Sequence, residues 1–218
     1  EIAKITGAKL GILGEAANSV GAYVAGAIPN RNLGNLTKDG EITGLNAFQM
    51  LNTETAQVCK AYILMNLEPE YDTYDPQSAL ERIKCAEFVI SLSSYKGNIM
   101  DYADVILPIA PFTETSGTFI NTEGRVQSFN GVVSPLAETR PAWKILRVLA
   151  NLLELEGFDY ETSEQVCVGL LSDYGNVTDH LNNTISEFVV NLNEIGVDGI
   201  ERIGEVNIYQ SDPIVRRA

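Results

Sequence analysis

Apolar positions along the first two thirds of the chain fall into short blocks separated by polar or Gly/Pro punctuation. Ala61 to Leu64 (AYIL), Phe88 to Leu92 (FVISL, with Ser91 the one polar residue) and Val105 to Leu107 are apolar runs of strand length. Such runs are the form taken by strands buried on both faces of a parallel sheet. An earlier run, Lys9 to Leu13 (KLGIL), predicts a strand ahead of them, and Pro108 stops the last one as at a sheet edge. Between the runs the spacing turns helical. Gly21, Ala22, Ala25 and Gly26 let a helix from Ser19 to Ala27 lie close to neighbouring backbone, until Pro29 ends it. Asn30 to Gly44, rich in Gly and Asn, reads as a loop, and Asn46 to Thr55 as a helix. Asp75-Pro76 gives an N-cap and first-turn signal before Leu80, Ile83 and Ala86, which recur at helical spacing. Ile99 to Tyr102 predicts a further short helix. This alternation predicts an α/β fold, an open and mostly parallel sheet with helices on both faces.

Downstream the pattern changes. Thr118-Phe119-Ile120 and Arg125-Val126-Gln127 flank Asn121-Thr122-Glu123-Gly124, two strands around a Gly-containing turn. Pro141 opens a helix to about Leu155, with Ile145, Leu149 and Leu152 on one side and Leu146 and Leu153 adjoining. Thr162-x-x-Gln165 fits a capping box for a helix through Leu171. Another helix is expected from about Val177 to Leu192, then an extended segment over Ile203, Val206, Ile208 and Tyr209. The expected organisation is an α/β domain over residues 1–158 and an acidic, mainly helical extension over residues 159–218. A strand end followed by a polar, Gly-bearing excursion is where open α/β sheets place a ligand crevice.

Charge narrows the function. The net charge is −14, and residues 151–218 hold thirteen acidic and three basic residues, net −10, which leaves −4 for residues 1–150. A polyphosphate partner wants the opposite sign, so no nucleic acid binding is expected. The acidic end reads as a solvated surface or as a docking face for a basic partner. No apolar stretch approaches the ~18 residues of a membrane span, so no direct membrane insertion is expected. Cys59, Cys85 and Cys167 are isolated and form no C-x-x-C, so no metal site and no iron–sulfur framework is predicted. They read as small buried hydrophobes. The opening Glu1 and the closing Arg216-Arg217-Ala218 mark the chain as a piece of something longer.

The order A-D-V-x-L-P (Ala103–Pro108) followed by E-x-x-G-T-F-x-N-x-E-G-R-V-Q (Glu114–Gln127) resembles the molybdopterin oxidoreductase superfamily, which includes formate dehydrogenases and periplasmic nitrate reductases. The longer stretch from Tyr102 to Trp143, with V-Q-S-F-N-G-V-V and R-P-A-W-K, is more narrowly similar to one branch. That branch is the large iron–sulfur subunit of bacterial NADH:quinone oxidoreductase, respiratory complex I. The resemblance implies a Rossmann-like domain of formate dehydrogenase type. It implies contacts with other peripheral-arm subunits of complex I, and a peripheral place on the cytoplasmic side of the bacterial inner membrane. Iron–sulfur clusters would lie in an N-terminal portion outside this chain. The fragment itself would be a non-catalytic scaffold with no cofactor. The rival reading is a cofactor-binding fragment of a molybdopterin-dependent oxidoreductase such as formate dehydrogenase.

The same resemblance locates a vestigial pterin site. Asn18 to Gly34 looks like the glycine-bearing loop and helix that meets the dinucleotide in family enzymes. The turn after the second predicted strand is G-x-N-P in cofactor binders, but here it is Met65-Asn66-Leu67-Glu68-Pro69. Met65 replaces a small residue, and Glu68 would bring a carboxylate to the dinucleotide. After the third predicted strand stands Ser93-Ser94-Tyr95-Lys96, without the threonine-rich segment of binders. Asn66, Ser93, Thr118 and Asn121 are the vestigial-site candidates, and no catalytic residue is expected. Glu114, Glu123 and Arg125 could form an acid/base group with an anion clamp, but Asn121 and Glu123 read as setting the hairpin turn and Arg125 as pairing locally with a carboxylate. His180 reads as a surface residue without a nucleophilic partner, and Trp143 as packing. No phosphate loop is present.

Overall fold

The computed structural model describes residues 2–8, 11, 14, 16–29, 44–54, 59–172, 174–180 and 215–217. Nearly all of the predicted strand at Lys9–Leu13 and of the loop at Asn30–Gly44 lies outside the described residues. So do the helix beyond His180 and the extended segment to Tyr209. The chain divides into two compact units, one of residues 13–180 and one of residues 1–12 with 181–218. In the latter the described elements are helix α1 (Ile2–Thr6) and a 3₁₀ turn at Val215–Arg217.

The larger unit holds two small cores. The first is built on a parallel sheet in the order β1 (Ala61–Met65), β2 (Phe88–Ser93), β3 (Val105–Pro108). Each crossover uses local chemistry visible in the chain. After β1, Asn66 turns the backbone through φ 50°, a left-handed conformation that Asn tolerates better than most residues. Pro69 then starts the one-turn helix α4 (Pro69–Asp72), and Asp75 caps α5 (Pro76–Lys84) by accepting from the Ser78 N–H at 3.1 Å. Hydrogen bonds from Ser78 hold the Asp75 carboxyl below its ordinary range. A 3₁₀ turn at Gly97–Asp101 leads into β3. There the Asp104 carboxylate accepts from the Val89 N–H at 2.7 Å and its own N–H donates to the Val89 carbonyl, aligning β3 on β2.

Side chains alternate across the sheet, and the register puts Tyr62, Leu64, Val89 and Ile106 on one face. This face carries the core, with Ile83 of α5, Ile99 and Tyr102 buried against it and Met50 and Leu51 of α3 (Ala47–Leu51) beside them. Burying a side chain such as Ile83 contributes about 1.5–3 kcal/mol. The opposite face holds Ile63, Met65, Ile90, Val105 and Leu107. Helices on both faces are expected from the apolar runs, but here the second face is open on the β1 side: Ile63 and Met65 are each 53% exposed, although Leu92 between Met65 and Leu107 is buried. Val105, expected to be buried, is exposed as well. β1 is a one-sided strand with an apolar second side.

Past Pro108 the chain pairs with a distant segment. Ile109 bridges Arg140 in parallel, and Ala110 N–H donates to the Arg140 carbonyl at 2.9 Å. That pairing delivers helix α6 (Ala142–Leu152), with Pro141 at its N-cap as predicted.

The second core is formed by helix α2 (Ser19–Val24), the antiparallel hairpin β4 (Gly117–Ile120) and β5 (Val126–Phe129), and helix α7 (Ser163–Leu171). Val24, Ile120 and Val177 are its buried members. Phe119 and Phe129 meet edge to face at 5.1 Å on the hairpin. The capping box predicted at Thr162 and Gln165 is formed in both directions. Thus α7, which sequence reasoning assigns to the acidic extension, packs on the hairpin within the larger unit. None of the three cysteines is fully buried and Cys85 is exposed, contrary to the reading of all three as core residues. Among the described residues no helix is long and apolar enough to cross a membrane.

Candidate functional site

The carboxyl ends of three parallel strands meet at Asn66, Ser93 and Pro108, the edge where an open α/β sheet places its ligand. Asn66 is exposed at this edge and its backbone N–H donates to the Leu92 carbonyl at 2.8 Å. Ser93 is buried, and its hydroxyl is engaged locally. It donates to the Tyr95 carbonyl at 2.8 Å and accepts from the Tyr95 N–H at 3.1 Å.

The turn after β1 closes on itself. The Glu68 N–H, the amide best placed to meet an anion at the start of α4, donates to the Asp72 carboxylate at 2.7 Å. Glu68 itself is buried, only 6% exposed. Next to it, Glu70 accepts from the Tyr102 hydroxyl at 3.5 Å. Burial first, then the charges of Glu70 and Glu68, push the Tyr102 phenol well above its ordinary range. Three carboxylates within one turn make this corner electronegative. A pyrophosphate brought here would meet repulsion and an amide already satisfied. At this one turn, then, the described residues offer an anion no open backbone amide.

The glycine-bearing segment is likewise committed elsewhere. Asn18 occupies the N-cap position of α2 but makes no capping bond. Its side-chain oxygen instead accepts from the Ile120 N–H of β4 at 2.9 Å, tying segments 102 residues apart. Sequence reasoning missed this use of Asn18, because no local spacing announces a bond of that range. In the hairpin, Asn121 Oδ1 accepts from the N–H groups of Glu123 and Arg125, which sets the turn, while Gly124 takes φ 76°. Thr118 shares a hydroxyl contact of 2.9 Å with Ser128 across the strands. Glu114 accepts from the Leu136 N–H at 2.9 Å. The local ion pair expected for Arg125 is not formed among the described residues.

The candidates thus split into two places. Asn66 and Ser93 belong to the sheet edge, and Thr118 and Asn121 to the hairpin. Two cavities among the described residues lie apart from all four. One, of about 580 Å³, is walled by the polar N-terminal turns of α6 and α7, with Ser116 and Ser163 in hydroxyl contact at 2.6 Å. Trp143, read as packing, lines it with its indole N–H buried and unpartnered. A second, of about 590 Å³, lies between Leu107 and α6. His180 is exposed, stacks on Tyr174 and contacts its carbonyl at 2.8 Å, consistent with a surface role. Among the described residues no group of His, Cys, Asp and Glu could hold a metal ion.

The comparison with known proteins agrees with this architecture. A provisionally named formate dehydrogenase of Staphylococcus haemolyticus is 33% identical over 104 residues, covering 46% of this chain and 10% of that protein. Another from Staphylococcus aureus (strain USA300) is 38% identical over 84 residues, covering 38% of this chain and 8% of that protein. The aligned stretch thus spans a tenth or less of the length of these relatives. The molybdopterin oxidoreductase family model matches residues 2–152, and the chain belongs to that family of oxidoreductases.

Proposed function

We propose that this chain is the α/β framework segment of a larger molybdopterin-family oxidoreductase, formate dehydrogenase-like in the polypeptide as a whole. The observation that carries the reading is the local identity of 33–38% to formate dehydrogenase-named proteins within a family match over residues 2–152. A bound molybdopterin would supply the redox chemistry of such an enzyme. This chain's residues contribute a rigid parallel sheet, the Asn18–Ile120 tie and the self-closed corner at Asp72, and carry no step of the reaction.

A second reading is favoured by that corner. The Asp72–Glu68 bond and the surrounding carboxylates suit a protein of this family that has given up the pterin nucleotide at the strand tips. The finer identity as part of the large iron–sulfur subunit of NADH:quinone oxidoreductase belongs here. In that case the chain holds a cluster-bearing portion in place and meets other peripheral-arm subunits at the cytoplasmic side of the inner membrane.

One preparation separates the two. The full-length protein is purified from its native host and assayed for molybdenum or tungsten, pterin, formate-dependent dye reduction and NADH:quinone reductase activity. Near-stoichiometric metal and pterin with formate-dependent reduction support the first reading. Iron without molybdenum or tungsten, with co-purifying NADH:quinone reductase activity, replaces it by the second.

A further inference from the structure

The larger unit carries an apolar groove that its own described residues do not cover. One wall is Leu107, the last residue on the open face of β3, and the other is the face of α6 formed by Ile145, Val148, Leu149 and Leu152. Leu152 is 76% exposed. On the same sheet face lie the exposed Val105, Ile63 and Met65, while the central Leu92, which pairs with Leu107 and Met65, is buried. A patch of this kind, several apolar side chains long, marks an interaction surface and exceeds what a small ligand covers.

The rim says what kind of partner fits. Arg140, Lys144 and Arg147 border the groove, with Glu161 as the single carboxylate. None of the three cations forms an ion pair among the described residues; Arg140 and Lys144 are exposed, while the Arg147 guanidinium donates to the Tyr160 carbonyl at 2.8 Å and its Nε–H is buried. In a chain of net charge −14 this is a local reversal of sign. The shape also selects. The α6 wall presents positions spaced as i, i+3, i+4 and i+7, ridges into which another helix interdigitates. An added strand is less suited, because the continuation of β3 past Pro108 is already paired with the Arg140 segment.

We propose that this groove docks an amphipathic α-helix of a partner protein, one with an aliphatic stripe and acidic flanks. The stripe packs on Leu107 and α6, and its carboxylates meet the exposed Lys144 and Arg140. Apolar burial supplies most of the affinity, while the charges set orientation and exclude basic helices.

The test uses the full 218-residue chain and fluorescein-labelled synthetic helices of about 18 residues, ~27 Å long. One carries leucines at helical spacing flanked by glutamates, and the other has lysines in place of the glutamates. The acidic peptide is expected to raise the anisotropy saturably, with affinity falling as salt rises. Lys144→Glu should weaken it about three- to fivefold and spare the basic peptide. Leu152→Gln should weaken the acidic peptide further, with the circular dichroism melt unchanged for both variants. Equal binding of the basic peptide, or indifference to both substitutions, overturns the proposal. So does displacement of the peptide by phosphatidylglycerol vesicles, or a chain that fills its groove by dimerising in sedimentation runs.

Discussion

Replacing Gly21 by Ala should reveal how strongly the two ends of the second core depend on one amide. A Cβ added at Gly21 would press against Asn18 Oδ1 and lie 2.7 Å from its Cγ. The Asn18 side chain must then rotate, and the Ile120 N–H in a residue only 4% exposed loses its acceptor. An unsatisfied buried donor costs about 1–3 kcal/mol. Ala in place of Gly within α2 returns about 1 kcal/mol of helix propensity. Gly21→Ala alone should therefore destabilise by about 0–2 kcal/mol. With Asn18→Ala already present the clash and the bond are both gone, so the same substitution should stabilise by up to about 1 kcal/mol. The two changes are thus coupled by about 1–3 kcal/mol. For a chain of this size each kcal/mol moves the melting temperature by roughly 2–4 °C. Urea and thermal melts of the four proteins, followed by circular dichroism, measure the cycle. If Gly21→Ala gains the same stability in both backgrounds, the Asn18 amide does not hold the hairpin and the account of this core is wrong.

Ile83→Ala removes a fully buried side chain from the first core and should cost about 2–5 kcal/mol in urea denaturation, against less than about 0.5 kcal/mol for a polar change at exposed Tyr74. Thr162→Ala breaks one arm of the α7 capping box and should cost about 1 kcal/mol, with Thr162→Ser restoring most of it. Burial, with help from the neighbouring Cys59 and against the pull of Arg82, pushes the Tyr62 phenol from its ordinary 10.0 up to about 12. The folded state therefore holds a proton that the unfolded chain releases, so this contribution is complete below about pH 10 and is lost as pH rises towards about 12. Urea midpoints across that window should fall with pH for the natural chain and fall less for Tyr62→Phe, while ultraviolet titration of the phenolate reads the pKa directly.

Much of the first core was legible from local pattern. The runs at Ala61, Phe88 and Val105 became three parallel strands, and Asp75-Pro76, Pro141 and Thr162-Gln165 each marked a helix start. These signals lie within a few residues of what they control. The open face was not legible, because an apolar run such as AYIL states that both sides are greasy and not whether anything sits on the second. The hairpin role of Asn121 followed from turn chemistry. The burial of Glu68 was not legible, because it depends on Tyr102, Glu70 and Asp72 converging around one turn. Asn18 was opaque for a related reason: its N-cap position advertised a local partner, and folding supplied a distant one.

The asymmetry of β1 has an evolutionary consequence. Tyr62 and Leu64 answer to the chain's own interior, whereas Ile63 and Met65 answer to whatever settles on the uncovered side. A library of substitutions scored on the isolated chain should tolerate polar replacements at the second pair and reject them at the first. Scored within the larger oxidoreductase proposed above, the same library should reject both, and the difference between the two maps would outline what covers that side residue by residue.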